Sequence, residues 1–175
     1  MHHMVDLETL DTATSAIVLT VGIVAFDPKT FATLERHHFV LQLAPQEARG
    51  RTKSQDTMKW WAQQSEEART AAFGGARTPI ETALDEIAEV LFNTAGVWGN
   101  GASFDNAILA DLYRSFGRQQ PWPFYLDRCF RTIRSAANDF DEPPREGIHH
   151  NAMHDAVHQV RVLGAACKHL NLEIR

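Results

Sequence analysis

The chain has 175 residues, 44% of them hydrophobic, which suits one ordinary folded domain spanning residues 1–175 and excludes a globally disordered polymer. A net charge of −5 and a pI near 6.0 exclude a protein that holds long stretches of nucleic acid on a broad basic surface, but leave room for an enzyme that grips a few nucleotides at one chain end. Two distant cysteines, Cys129 and Cys167, argue against a zinc ribbon or a disulfide framework, and the absence of a long apolar run or an apolar leader after Met1 gives the expectation of a soluble cytoplasmic protein with no membrane partner.

In chain order, residues 5–8 (Val-Asp-Leu-Glu) form a short segment, with no function assigned to the preceding His2-His3 pair. The β-branched apolar run 16–26 predicts a buried strand, Asp27-Pro-Lys-Thr30 a turn, and the alternation over 33–43 a third strand of a meander. Residues 56–63 and 65–73 read as short helices ended by Gly74-Gly75. Thr78-Pro79 starts a longer helix to about Thr94, with Ile80, Leu84, Ile87, Ala88 and Leu91 on one face. Gly96-Val-Trp98 is a short strand, and Asp105 opens a helix to about Phe116. A Pro-rich loop over 117–123, a strand over 125–127, a helix over 131–137, a polar loop over 138–149 and a last helix over 151–170 complete the chain. Three strands followed by alternating helices and strands predict an α/β fold with helices packed on a mixed sheet, and no GxGxxG follows the first strand.

Three segments could carry chemistry. Asp6 and Glu8, two apart on a strand, present both carboxylates to one face while Val5 and Leu7 face the other. Such charges about 4 Å apart repel by roughly 4 kcal/mol at an effective dielectric near 20, so a buried pair needs cations or protons. Hard oxygen ligands of this kind suit Mg²⁺ or Mn²⁺, although a solvated edge pair has the same spacing. In Trp98-Gly-Asn-Gly-Ala-Ser-Phe-Asp105 a strand runs through a Gly-rich turn into a helix, where Ser103 or Asp105 could equally be an ordinary N-cap. In His150-Asn-Ala-Met-His-Asp155, His150 overhangs the start of the last helix and Asp155 lies further in; an imidazole suits a general base near neutral pH, yet His149, His154 and His158 crowd the same region. His150 and His154 stand four apart, but no Cys or acidic partner completes a zincin pattern.

In this order, Asp6-x-Glu8, Asp105 and His150-x₄-Asp155 closely resemble the signature of the DEDDh 3′–5′ exonucleases, over nearly the whole chain. Val5-Asp-Leu-Glu-Thr9, the Trp98–Asp105 string and His150-Asn-Ala are most similar to the compact branch that holds phage exodeoxyribonucleases and mycobacterial exoribonucleases. Thr57-Met-Lys-Trp60-Trp61 resembles that branch's paired-Trp motif and Arg131-Thr132 its Arg-Thr pair, whereas His154 stands where the branch commonly has Asp.

The resemblance implies a ribonuclease H-like fold, a five-stranded mixed sheet flanked by helices. It implies two Mg²⁺ or Mn²⁺ ions about 3.5–4 Å apart, held by Asp6, Glu8, Asp105 and Asp155, with His150 taking the proton of the attacking water. The substrate would be the 3′ end of single-stranded RNA, slightly ahead of DNA, and the product a nucleoside monophosphate; a homodimer is also suggested. Leu7, Thr9, Leu10, Trp61, Asn100, Ser103 and Phe104 are expected around the terminal nucleotide, with Asn106 a further polar neighbour and one of the two tryptophans in the core. A catalytically silent nucleic-acid-binding module and an unrelated interaction domain with surface acids are the competing readings.

Overall fold

A computed structural model describes residues 1–174. Its centre is a five-stranded sheet in the order β3-β2-β1-β4-β5, built from β1 (His2–Thr9), β2 (Val18–Phe26), β3 (Thr33–Val40), β4 (Val97–Gly99) and β5 (Asp127–Cys129). The first three strands form an antiparallel meander, and β4 and β5 add in parallel beside β1, so the sheet is mixed, as expected.

Helices cover both faces. On one, Val5, Leu7, Val21 and Ile23 pack under α4 (Ile80–Val90) and α5 (Asp105–Ser115) through Leu84, Ile87, Ile108 and Leu112. On the other, Met4, Val24, Phe26 and Trp98 pack under α6 (Phe130–Ala136) and α7 (Ala152–Leu170) through Phe130, Ala156, Val160 and Leu163. With both faces covered, β1 and β2 are buried along their whole length, whereas the edge strand β3 is largely exposed and carries Glu35 and Arg36, charges that discourage pairing with another edge. A satellite cluster of Leu10, Ile17, Leu19, Trp61 and Ala72 seats α2 (Gln55–Ala62) and α3 (Glu66–Phe73) at one end of β2. Ser54 and Ser65 cap these helices, accepting from the N–H groups of Thr57 and Ala68 at 3.1 Å each.

Three local expectations are corrected. The first strand begins at His2, whose ring, like that of His3, is buried. His3 Nδ1 lies 2.9 Å from Thr94 Oγ1, and His2 Nδ1 accepts the Trp98 indole N–H at 3.0 Å. The third strand stops at Val40, and a five-residue helix, α1 (Ala44–Ala48), follows; Gln46 on it is fully buried and closes hydrogen bonds with both the N–H and the carbonyl of Val18. Tyr125 belongs to a 3₁₀ turn over Phe124–Leu126, and the strand follows it. No helix among the described residues is long and apolar enough to cross a membrane.

Candidate active site

At the C-terminal ends of the parallel strands β1 and β4, four carboxylates meet. Asp6 and Glu8 leave β1 on the face that α7 covers, both buried. The register sets Asp6 opposite Gly22 on β2. A Cβ on Gly22 would lie 2.2 Å from the Ala152 carbonyl carbon, so only glycine lets the start of α7 lie this close to the sheet. That approach brings Asp155, one turn into α7, to the β1 pair. Ligand oxygens of Asp6, Glu8 and Asp155 lie within 4.8 Å of one another.

Asp105 arrives from the other side. β4 ends at Gly99, leaving the amide of Leu7 without a strand partner, and Asp105 Oδ1 accepts that N–H at 3.2 Å. Its Oδ2 is buried and has no hydrogen-bond partner in the protein. An orphaned carboxylate oxygen in an acidic cavity is the donor a bound cation would complete. The cavity, about 240 Å³, is lined by all four carboxylates together with His150, Leu7, Asn100 and Phe104.

Burial and mutual repulsion disfavour charge on Asp6 and Glu8, and burial disfavours it on Asp105. Burial, then Asp105 and Glu8, raises the Asp6 carboxyl well above its ordinary range. Burial, then Asp155 and Asp105, lifts Glu8 to about 8, and burial lifts Asp105 to about 7. Neutral donors offset this in part: the Gln159 amide reaches Asp6 Oδ1 at 2.6 Å, beside the Leu7 N–H on Asp105. Cations do too: the Arg145 guanidinium pairs with Asp155 Oδ1, and Arg131, which also lines the cavity, favours charge on Asp105. The donor set therefore fits divalent cations, being hard, anionic, convergent and undercompensated.

His150 stands in the left-handed region, with φ 61°. The turn before α7 imposes this conformation and is itself fastened three ways. Asp155 Oδ2 accepts the His150 N–H at 3.0 Å, Asn151 Oδ1 caps the helix on the His154 N–H at 3.1 Å, and His154 Nδ1 accepts the Ile148 N–H at 3.0 Å. His154, which stands where the resembled pattern commonly has Asp, thus holds the turn, while Asp155 faces the other carboxylates. The His150 ring meets Trp60 edge-on, with centroids 4.7 Å apart. Burial is the main cause that lowers its pKa, with His149 adding to it, which favours the neutral, proton-accepting ring.

Beside the acidic cavity lies a second, of about 590 Å³, that shares Leu7, Glu8 and Phe104 with it and adds Thr9, Thr57, Trp60 and Trp61. Trp61 is 2% exposed, and its indole N–H bonds the Thr9 carbonyl at 2.9 Å. Trp60, at 40%, is the tryptophan with a free face.

Two expected substrate contacts line neither cavity. Leu10 turns into the satellite core once its N–H pairs with the Ile17 carbonyl, and Ser103 sits on the outer side of its turn. Asn106 is buried and structural, its amide tying the Val97 carbonyl at 2.9 Å to the Asp127 carboxylate at 2.8 Å. Sequence reasoning missed Gln159, although it lies one helical turn beyond Asp155 and so on the same face. It also missed Arg145, which sits in an irregular segment with no periodic signal.

A family model described as the 3′-5′ exoribonuclease Rv2179c-like domain matches residues 1–167. An exodeoxyribonuclease of enterobacteria phage T4 is 29% identical over 130 residues, covering 66% of this chain and 56% of the phage protein. The fold is similar to that of E. coli exonuclease I in complex with a dA16 oligonucleotide (TM-score 0.64, 14% identity, 96% of this chain and 41% of that one). It is also similar to the nuclease domain of 3′hExo, a DEDDh family member bound to rAMP (TM-score 0.62, 11% identity, 99% and 94%). The chain thus spans a little over half of the phage enzyme and about two fifths of exonuclease I.

Proposed function

This chain belongs to the 3′–5′ exoribonuclease Rv2179c-like domain family, and from that premise we propose that it removes nucleoside monophosphates from the 3′ end of single-stranded RNA, with DNA a weaker substrate. The observation that carries the reading is the meeting of Asp6, Glu8, Asp105 and Asp155 with His150 in one cavity. Four carboxylates in so small a space need positive charge, and two divalent cations would balance them.

Asp6, Glu8 and Asp155 would hold one Mg²⁺ or Mn²⁺, with Asp105 and Glu8 turned toward the second. When bound, such ions lower the pKa of a coordinated water and stabilise charge on the phosphate and the departing 3′ oxygen. His150, held neutral by burial, takes the proton of the attacking water. Gln159 keeps Asp6 oriented, and the Leu7 N–H keeps Asp105 oriented. The terminal nucleoside enters the second cavity between Leu7, Thr9 and Phe104, where the exposed Trp60 gives a stacking surface and the buried Trp61 supports it; a base on an aromatic ring gains about 1–3 kcal/mol. Asn100 lies on the phosphate side. Preference for RNA rests on the family description, and the phage relative makes DNA the natural comparison.

The test is a gel time course with 5′-labelled single-stranded RNA and DNA of one sequence, in Mg²⁺, Mn²⁺ or EDTA. A ladder shortening from the 3′ end, faster on RNA, absent in EDTA and reduced by about 10²–10⁴-fold in His150→Ala, is expected. Folded, metal-loaded protein that shortens neither strand would replace the catalytic reading with a binding one.

A further inference from the structure

A second metal-binding set overlaps the catalytic one. Ligand atoms of His149, His150 and Asp155 also lie within 4.8 Å of one another. Neighbouring residues in extended chain send their side chains to opposite sides. Here the left-handed backbone at His150 turns both imidazoles to one side, stacked with centroids 3.9 Å apart and planes at 25°. The turn that does this is built rather than loose. Besides its three hydrogen bonds, Gly147 has φ 80°, and a Cβ there would lie 2.8 Å from the His154 ring. His149 is exposed, so an ion can reach the set from solvent.

We propose that His149, His150 and Asp155 form an inhibitory site for a borderline transition-metal ion, Zn²⁺ foremost. Two imidazole nitrogens and one carboxylate oxygen are the ligands zinc takes at about 2.0–2.2 Å, and neither Mg²⁺ nor Mn²⁺ favours imidazole as strongly. Ligands on one ion at those lengths lie within about 4.4 Å of each other, so small ring rotations close the set. Arg145, whose side chain is 36% exposed, swings off Asp155 into solvent as the ion binds. The occupied site uses the His150 lone pair and diverts Asp155 from the carboxylate cluster. Zinc bound here switches off proton removal while Asp6 and Glu8 stay intact. The inhibitory half rests on the roles given above to His150 and Asp155; the binding half does not.

The experiment is calorimetric titration of ZnCl₂ into Mg²⁺-saturated protein, comparing wild type, His149→Gln and Glu8→Gln, with the histidine ring resonances followed by NMR. One zinc per chain is expected, with affinity reduced in His149→Gln by at least about tenfold, as losing a ligand should cost no less than losing an outer-sphere partner. Glu8→Gln should bind zinc at least as tightly as wild type does, because the competing Mg²⁺ is held less firmly, and zinc should shift the His149 and His150 resonances. Zinc binding weakened by Glu8→Gln but not by His149→Gln would place the ion among the carboxylates and overturn the proposal. On RNA in Mg²⁺, zinc should slow wild type and spare His149→Gln; equal inhibition of both would overturn the inhibitory half. A protein without nuclease activity fails the functional reading, yet the titration still decides where zinc binds.

Discussion

The two ends of β1 solve the same problem in opposite ways. At the N-terminal end, His2 and His3 are buried and each ring nitrogen in contact finds a partner within the protein, Trp98 or Thr94. Burial holds both near a pKa of about 4, so they are neutral and the region is self-sufficient. At the C-terminal end, a few residues along the same strand, Asp6 and Glu8 are also buried, but they meet Asp105 and Asp155, and one Asp105 oxygen has no protein partner at all. The protein completes one end from its own groups and leaves the other to be completed by something bound. The contrast lies in charge: the paired rings are neutral, while the carboxylates gathered at the other end repel one another.

The sharpest test of that contrast is Asp6→Asn. Loss of a proposed metal ligand should lower the exonuclease rate by about a thousandfold or more, since several kcal/mol of charge stabilisation are at stake at about 1.4 kcal/mol per tenfold. At alkaline pH the metal-free variant should melt higher than metal-free wild type, because one of the repelling charges is gone. An unchanged or lower melting temperature would break the comparison.

Gly22→Ala probes the approach that assembles the acidic end. The added methyl meets the Ala152 backbone. Pushing α7 outward should cost about 1–3 kcal/mol in denaturant unfolding, and activity should fall more than stability does. A variant with wild-type activity would show that α7 has slack.

Stability against pH separates the two ends in one experiment without metal. His2 and His3 have folded values lowered to about 4 from 6.5, so the unfolded chain takes protons first, and their contribution is full above 6.5 and lost as pH falls toward 4. Glu8, raised from 4.5 to about 8, and Asp105, raised from 3.8 to about 7, bind protons more tightly when folded; their contribution is full at low pH and lost as pH rises through 7 and 8. Melting temperature should thus fall on both sides, and Mg²⁺ or Mn²⁺ should remove the alkaline fall while leaving the acid one. The smallest effect is expected for Trp98→Phe, which leaves His2 without its donor and should cost about 1 kcal/mol with no change in metal affinity.

Much of the acidic end was legible in the sequence because its signals are local. A two-residue spacing on a strand, a Gly-rich turn before a helix and a His five residues before an Asp each declare a geometry by themselves. What was not legible depends on packing across the chain. Gly22 looks like an ordinary strand residue until α7 lies on it, and Gln159 matters only because Asp6 is opposite. The His2-His3 pair was given no role because nothing near it in sequence reveals Trp98 and Thr94. Among elements, α1 and β5 were missed or displaced because five and three residues are too few to show a period, and Tyr125 drew the expected strand toward a turn.

The bond from Gln159 to Asp6 joins residues 153 positions apart. Asp6 is therefore made well before the residue that fixes its orientation. At about 5–20 residues per second, roughly 8–30 s of synthesis separate Asp6 from Asp155. Throughout that interval the nascent chain lacks the helix that brings Asp155 and Gln159 to the carboxylates of β1.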